Sequence, residues 1–199
     1  MSKATSEKIL SAALTLMESK PVSLVTFREI AAEAGISHMA PYRHFKSRLE
    51  VFGKLAEEGH EILGGLLNQV IEKFPVDPEK QILTTGLTYY DFSIEYPIHF
   101  KLMFMEPLLD KRSDRPESLI KAARSSYEVF LKMIHNAQMK EVISPKLDPR
   151  EVAFILWSSV HGSTVLCQNL DLSKTVGSID TRKSIQHAGK AILAGFRTN

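Results

Sequence analysis

The chain has 199 residues, 44% of them hydrophobic and 24% charged, with a formal net charge of +2 and a single cysteine. A chain of this length and composition holds one small module and one larger globular core, and excludes a disordered or fibrous protein. One cysteine excludes an intrachain disulfide and points to a reducing compartment. With no leader-like start and no long apolar run, no membrane partner and a cytoplasmic location are expected.

Almost no stretch alternates with period two, and Pro or Gly punctuates segments of helical periodicity, so the fold class is all-α with about nine helices. The first helix is expected from about Thr5 to Ser19, with Ile9, Ala13, Leu16 and Met17 on one face. Thr26 and Glu29 then form the T-x-x-E pattern of a capping box, and Val25 and Ile30 are placed for a hydrophobic staple. Gly35 ends this second helix, because a left-handed position costs Gly no steric penalty. Ser37 is expected to cap a third helix over His38 to Phe45, with Pro41 about four positions inside it. Helix, Gly-containing turn, helix is the helix-turn-helix arrangement.

The third helix is rich in groups that donate, stack or carry charge, and no carboxylate lies between Gly35 and Arg48. Phosphates repel Asp and Glu and reward Lys and Arg, so a polyanion partner explains that composition. Charge is also concentrated there. Lys3, Lys8, Lys20, Arg28, Arg43, Lys46 and Arg48 outweigh Glu7, Glu18, Glu29 and Glu33 by +3, which leaves the rest of the chain at −1. The plainer reading is a helical hairpin with a solvated polar face. The agreement of cap, turn and charge favours DNA.

Residues 35–48, G-I-S-H-M-A-P-Y-R-H-F-K-S-R, resemble the turn and recognition helix of the TetR/AcrR family of bacterial repressors. Gly35, Ser37, Tyr42, His44, Phe45 and Ser47 match the family pattern, whereas Pro41 replaces an aliphatic residue and Arg48 a Lys. The resemblance implies an N-terminal helix-turn-helix domain over residues 1–46 and a ligand-binding and dimerisation domain over 47–199. As base-reading candidates the residues suggest Arg28, His38 and Met39; as phosphate candidates Thr26, Ser37, Tyr42, His44, Lys46 and Arg48; Arg43 suits either role, or only faces solvent.

Ser47 and Glu50 make a second capping box, opening a long connector helix to about Phe74. Asp77-Pro78 opens a fifth helix that ends near Tyr96-Pro97, and a short sixth covers about Pro97 to Met105. A charged loop is expected over 107–116, a seventh helix over about 117–140, an eighth from Asp148 to about Asn169, a loop over 170–179 and a ninth helix over about 180–197. Trp157-Ser-Ser-Val-His161-Gly162 and the segment from Tyr96 to Phe104 resemble motifs of a Trp-His-Gly subfamily of the same family.

The family likeness implies that Tyr89, Phe92, Phe100, Met103, Phe104, Phe130, Met133, Trp157 and His161 contribute to a site for an unknown small-molecule effector. Met and aromatic side chains suit irregular apolar ligands, although most such residues only pack. For His161 the alternatives are a ligand contact or a core imidazole satisfied by a carbonyl. Glu57, Glu58 and Glu61 read as a solvated acidic face, and Cys167 as a small buried thiol. No metal-ligand spacing, phosphate loop or nucleophile–base pattern occurs, so no catalytic residue, metal or cofactor is expected. Specific affinity from so small a reader needs two half-sites. A homodimer on a pseudo-palindromic double-stranded operator is therefore expected, joined through the eighth and ninth helices, with Ile185, Ala188, Ile192 and Phe196 as the apolar stripe of the ninth. Three readings follow: a repressor released by an apolar ligand, a DNA-binding regulator without ligand control, or a helical enzyme.

Overall fold

The computed structural model describes residues 3–106, 116–168, 177 and 179–197. Among these the chain is all-α, with nine α-helices and one short 3₁₀ turn. They are α1 (Lys3–Ser19), the 3₁₀ turn (Val22–Leu24), α2 (Phe27–Glu33), α3 (Ala40–His44), α4 (Arg48–Lys73), α5 (Pro78–Glu95), α6 (Pro97–Phe104), α7 (Glu117–Met139), α8 (Pro149–Gln168) and α9 (Thr181–Gly195). The charged loop expected at 107–116 and the loop at 170–179 lie outside the described residues, apart from Pro116, Gly177 and Ile179.

Helix starts follow the chemistry of their first residues. Asp77 accepts from the Lys80 amide at 2.9 Å, Asp148 from Arg150 at 2.8 Å and Asp180 from Lys183 at 3.0 Å. Each carboxylate satisfies an orphan N–H and lies at the positive end of a helix dipole. At α4 the box is shifted. Ser47 Oγ accepts from the Glu50 amide at 3.3 Å, but the Glu50 carboxylate reaches back to the Lys46 amide rather than to that of Ser47.

The chain divides into two compact units, Met1–Glu61 with Tyr96–Ala123, and Ile62–Glu95 with Arg124–Asn199. This packing division differs from the functional one at 46/47. The first half of α4 and all of α6 pack with the N-terminal helices, because their apolar faces complete that core. In the first unit α1 packs on α2, α3 and α6. Its core gathers Ile9, Ala13, Met17, Val22, Val25, Phe27, Ile30, Phe45, Phe52, Leu55, Leu102 and Leu119. Glu57 is not on the solvated face expected of it. It is buried, and Lys54 Nζ donates to its Oε1 at 2.6 Å. Such pairing offsets part of the cost of drawing a carboxylate into a core edge.

In the second unit α9 packs on α8 and α5, and α5 on α8. This corrects the reading of the ninth helix. Ile185 and Leu193 are buried, Ala188, Ile192 and Phe196 are half-buried, and a Cβ added at Gly189 would stand 3.0 Å from Leu83 Cδ2 of α5. The apolar stripe thus faces inward within one chain, where packing on α5 and α8 removes it from water. Two ion pairs, Arg182 with Asp91 and Arg197 with Glu79, add links between α5 and the two ends of α9. Cys167, read as buried, is exposed on α8.

Two glycines of α4 make opposite predictions. At Gly59 an added Cβ would meet Met103 Sδ at 2.6 Å and His99 Cβ at 3.0 Å, whereas at Gly65 nothing lies within 4 Å. G65A should raise stability by about 0.5–1 kcal/mol by removing unfolded-state freedom. G59A should lower it, by about 1–3 kcal/mol of overpacking less that gain. Urea midpoints of the two variants check the opposite signs.

Candidate nucleic-acid interface

The geometry of the reading hairpin starts at its cap. Thr26 Oγ1 accepts from the Glu29 amide at 3.3 Å and the Glu29 carboxylate accepts from the Thr26 amide at 3.0 Å, completing the capping box. The Thr26 hydroxyl also donates to Glu29 Oε2 at 2.7 Å. Val25 and Ile30, the staple pair, are fully buried. Lys20, from the end of α1, lies 2.5 Å from Glu29 Oε1, an ion pair that the sequence reading missed because nothing in the spacing marks it. The Lys20 contact, with the bonds to Thr26, holds the Glu29 carboxyl down at about 2 from an ordinary 4.5.

At the other end of α2 the Ile36 amide donates to Ala31 O at 3.0 Å and the Gly35 amide to Ala32 O at 3.2 Å, with Gly35 at φ +64°. This paired closure is a Schellman turn, and it requires the left-handed residue that Gly supplies. The third helix is shorter than expected. It begins at Ala40, with Met39 at its cap and no side-chain cap bond. Ser37 therefore does not cap it; the Ser37 carbonyl accepts from the Ala40 amide at 2.9 Å in the turn before it. That later start resolves the oddity of Pro41. It falls in the first turn of α3, where a missing N–H breaks no helical bond.

Arg28, Ser37, His38, Met39, Tyr42, Arg43 and Lys46 are exposed, and His44 is half-buried. The Tyr42 ring stands edge-on to Phe27 with centroids 4.9 Å apart, so a core side chain of α2 fixes its direction. Two residues read as phosphate contacts have partners inside the protein. The Thr26 hydroxyl hydrogen is given to Glu29, and Arg48 donates to the carbonyls of Ser23 and Val25 at 2.7 and 3.0 Å. The Thr26 bond belongs to the capping box that the T-x-x-E spacing marks, whereas the Arg48 bonds reach backbone 23 and 25 residues away and leave no mark in local spacing.

The effector candidates divide between the two units. Phe100, Met103 and Phe104 belong to the first, where Phe104 stands edge-on to Phe100 at 5.2 Å and to His60 at 5.8 Å. Tyr89, Phe92, Phe130, Met133, Trp157 and His161 belong to the second. There α5 is the common member: Thr85 Oγ1 lies 3.2 Å from Met133 Sδ of α7, and the Tyr89 hydroxyl 2.7 Å from His161 Nδ1 of α8. Trp157 also bonds to the Tyr89 hydroxyl, and Tyr127, unmarked in the sequence, lies beside the indole with centroids 6.5 Å apart. An indole N–H only donates, so the Tyr89 oxygen accepts. At 2.7 Å from the hydroxyl, the Nδ1 of a neutral His161 can accept the phenol hydrogen. Burial favours the same state, pushing the His161 pKa below its ordinary value and the Tyr89 pKa above. His161 Nδ1 thus meets a phenol.

Residues 9–55 match the family model described as bacterial regulatory proteins of the tetR family, and residues 82–188 match the Tetracyclin repressor-like C-terminal domain. The chain belongs to the TetR family. It is 30% identical over 159 residues to nucleoid occlusion factor SlmA of Shewanella pealeana, covering 78% of this chain and 79% of that protein. Among solved structures, a protein of unknown function from Rhodococcus sp. RHA1 superposes with a TM-score of 0.85 at 21% identity, covering 98% of this chain and 96% of that one. The TetR-family regulator PfmR of Thermus thermophilus gives 0.70 at 16%, covering 96% and 99%. This TetR-family chain is a sequence-specific DNA-binding transcriptional regulator, and its hairpin of α2 and α3 falls inside the N-terminal match. No helix among its described residues is long and apolar enough to cross a membrane.

The cap also sets a pH dependence. The folded Glu29 carboxyl stays charged to about 2, whereas the unfolded one takes up a proton near 4.5. The stability it contributes is therefore complete above about 4.5 and is lost as pH falls toward about 2. E29Q keeps a box-competent amide without the charge. Across that window, thermal unfolding should show wild type losing more stability than E29Q. Equal losses would mean that the Lys20–Glu29 pair contributes nothing.

Proposed function

We propose that this regulator is a homodimeric, cytoplasmic, non-enzymatic repressor, released from a pseudo-palindromic operator by a small apolar ligand held in its C-terminal domain. In this reading residues 1–46 form the DNA-reading domain and residues 47–199 the ligand-binding and dimerisation domain. Arg28, His38 and Met39 read base edges, Arg28 through a bidentate contact to guanine. Ser37, Tyr42, His44 and Lys46 hold phosphates, and Arg43 serves either purpose. The observation that carries ligand control is the polar relay Trp157–Tyr89–His161, half-buried apart from its buried Tyr89, in a unit whose buried side chains include the apolar Phe92, Phe130 and Met133. A few directed polar groups within an apolar wall are the composition of a small-molecule site.

Dimerisation through α8 and α9 is supported by what α8 leaves uncovered. Phe154 is 62% and Leu166 54% exposed, and nothing stands within 4 Å of a Cβ at Gly162 between them. On α9 the outward residues are His187, Ala191 and Ala194, the face opposite the stripe first read from sequence. Exposed apolar area with small residues beside it allows two helices to approach closely. Light scattering at micromolar concentration should give twice the 22.4 kDa chain mass.

A second reading has its own support. The name of the Shewanella pealeana relative, nucleoid occlusion factor, describes no small-molecule response, and the likeness spans most of both chains. In that reading this protein binds DNA without a small effector. Linkage separates the two. A ligand that weakens operator binding by five- to 150-fold, about 1–3 kcal/mol of coupling, must itself bind more weakly to the operator complex by the same factor. Trp157, the sole tryptophan, reports the titration by fluorescence. Apolar ligands of graded length should quench free protein at lower concentration than operator-bound protein. Equal affinity for both forms, or no ligand that binds, supports the second reading.

A further inference from the structure

We propose that Arg48 is the positioning residue of the DNA-reading hairpin, clamping the chain that enters α2 to the start of α4, rather than one of its phosphate contacts. The inference rests on the family reading of α2 and α3 as the DNA-reading element.

Arg48 is the first residue of α4. A cation there sits at the positive end of the helix dipole, which is unfavourable unless something offsets it. The offset is visible. Arg48 Nη1 donates to Ser23 O at 2.7 Å and to Val25 O at 3.0 Å, across 25 and 23 residues of sequence. The backbone bonds of the 3₁₀ turn use other acceptors, Pro21 O and Val22 O, so one guanidinium nitrogen takes two carbonyls, of Ser23 and Val25, that those bonds leave unused. Charge-assisted bonds of this kind are among the stronger ones in proteins.

The clamped residues are the ones that aim the reader. Val25 is the buried staple residue, followed by Thr26, the cap, and Phe27, the first residue of α2. Phe27 holds the Tyr42 ring of α3 edge-on at 4.9 Å. A continuous set of contacts therefore runs from the first turn of α4 through Val25 and Phe27 to α3. Lys20 secures the same entry from the side of α1 by its pair with Glu29. Binding constellations tolerate only about 0.5 Å of misplacement, so a loosened entry costs base readout even when every DNA-facing group remains.

The test uses the whole chain with an operator obtained by binding-site selection. R48M keeps the aliphatic stem and removes the donors. It should weaken operator binding about tenfold, the loss expected of one charge-assisted bond. The dependence of log K on log salt should stay unchanged, because no phosphate contact is lost. K46A is the contrasting variant and should flatten that slope by about one. In free protein, amide exchange at residues 25–27 should quicken in R48M while α5 to α9 keep their wild-type rates. R48K retains a donor and should restore part of both the affinity and the protection; it also serves if R48M does not fold. A slope flattened by about one with unchanged exchange would make Arg48 a phosphate contact and overturn the proposal, as would no change in either. If wild type selects no DNA sequence, the DNA-reading assignment fails, while the exchange measurement still decides whether the clamp exists.

Discussion

Everything that α3 can present depends on how the chain enters α2. That entry is a short polar closure on a buried apolar pair: Val25 and Ile30 exclude water beneath it, and Thr26 and Glu29 exchange bonds above it. Two cations from elsewhere in the chain complete it, Lys20 on the Glu29 carboxylate and Arg48 on the Ser23 and Val25 carbonyls. A seven-residue helix has little cooperative stability of its own. Its persistence rests on satisfied ends and on the core of the first unit. The five residues of α3 depend on it in turn through Phe27 and Tyr42.

This allocation changes the meaning of positive charge in the N-terminal region. Counting Lys and Arg suggests seven groups aimed at a polyanion. Lys20 and Arg48 are instead committed to internal acceptors, and Lys3 pairs with Glu7 along α1 at 3.8 Å. The exposed Arg28, Arg43 and Lys46 remain for the electrostatic contact proposed above. A small reader thus uses part of its charge to hold shape, because a hairpin with so few buried residues has little apolar surface with which to fix the angle of its helices.

The second unit has, beside its two ion pairs between α5 and the ends of α9, polar links of another kind. Its α5–α8 polar relays run between neutral groups: Trp157 donates to Tyr89, whose hydroxyl meets His161 Nδ1, while Gln168 Nε2 donates to Ser93 Oγ at 2.9 Å, which itself donates to Tyr90 O. Such relays link α5 to α8 with directional bonds that apolar packing alone lacks.

Much of this was legible in the sequence, for a physical reason. Caps, turns and helical periodicity are interactions between residues within about four positions, and local spacing displays them. The capping box at Thr26, the left-handed Gly35, the Asp starts of α5, α8 and α9 and the all-α class were determined in this way. Interactions across the fold are a different matter. The Lys20–Glu29 pair, the Arg48 clamp and the Tyr89–His161 bond join residues that no spacing rule connects. The stripe of α9 was visible as apolar, yet nothing in its periodicity states whether it meets its own chain or a second copy. Only the tertiary structure decided that, because α5 lies close enough for Leu83 to fill the space beside Gly189. Likewise the sequence by itself determined that Arg48 is a cation following a recognition-helix motif, and the fold decided what the cation serves, by placing two backbone carbonyls within hydrogen-bonding reach of its side chain.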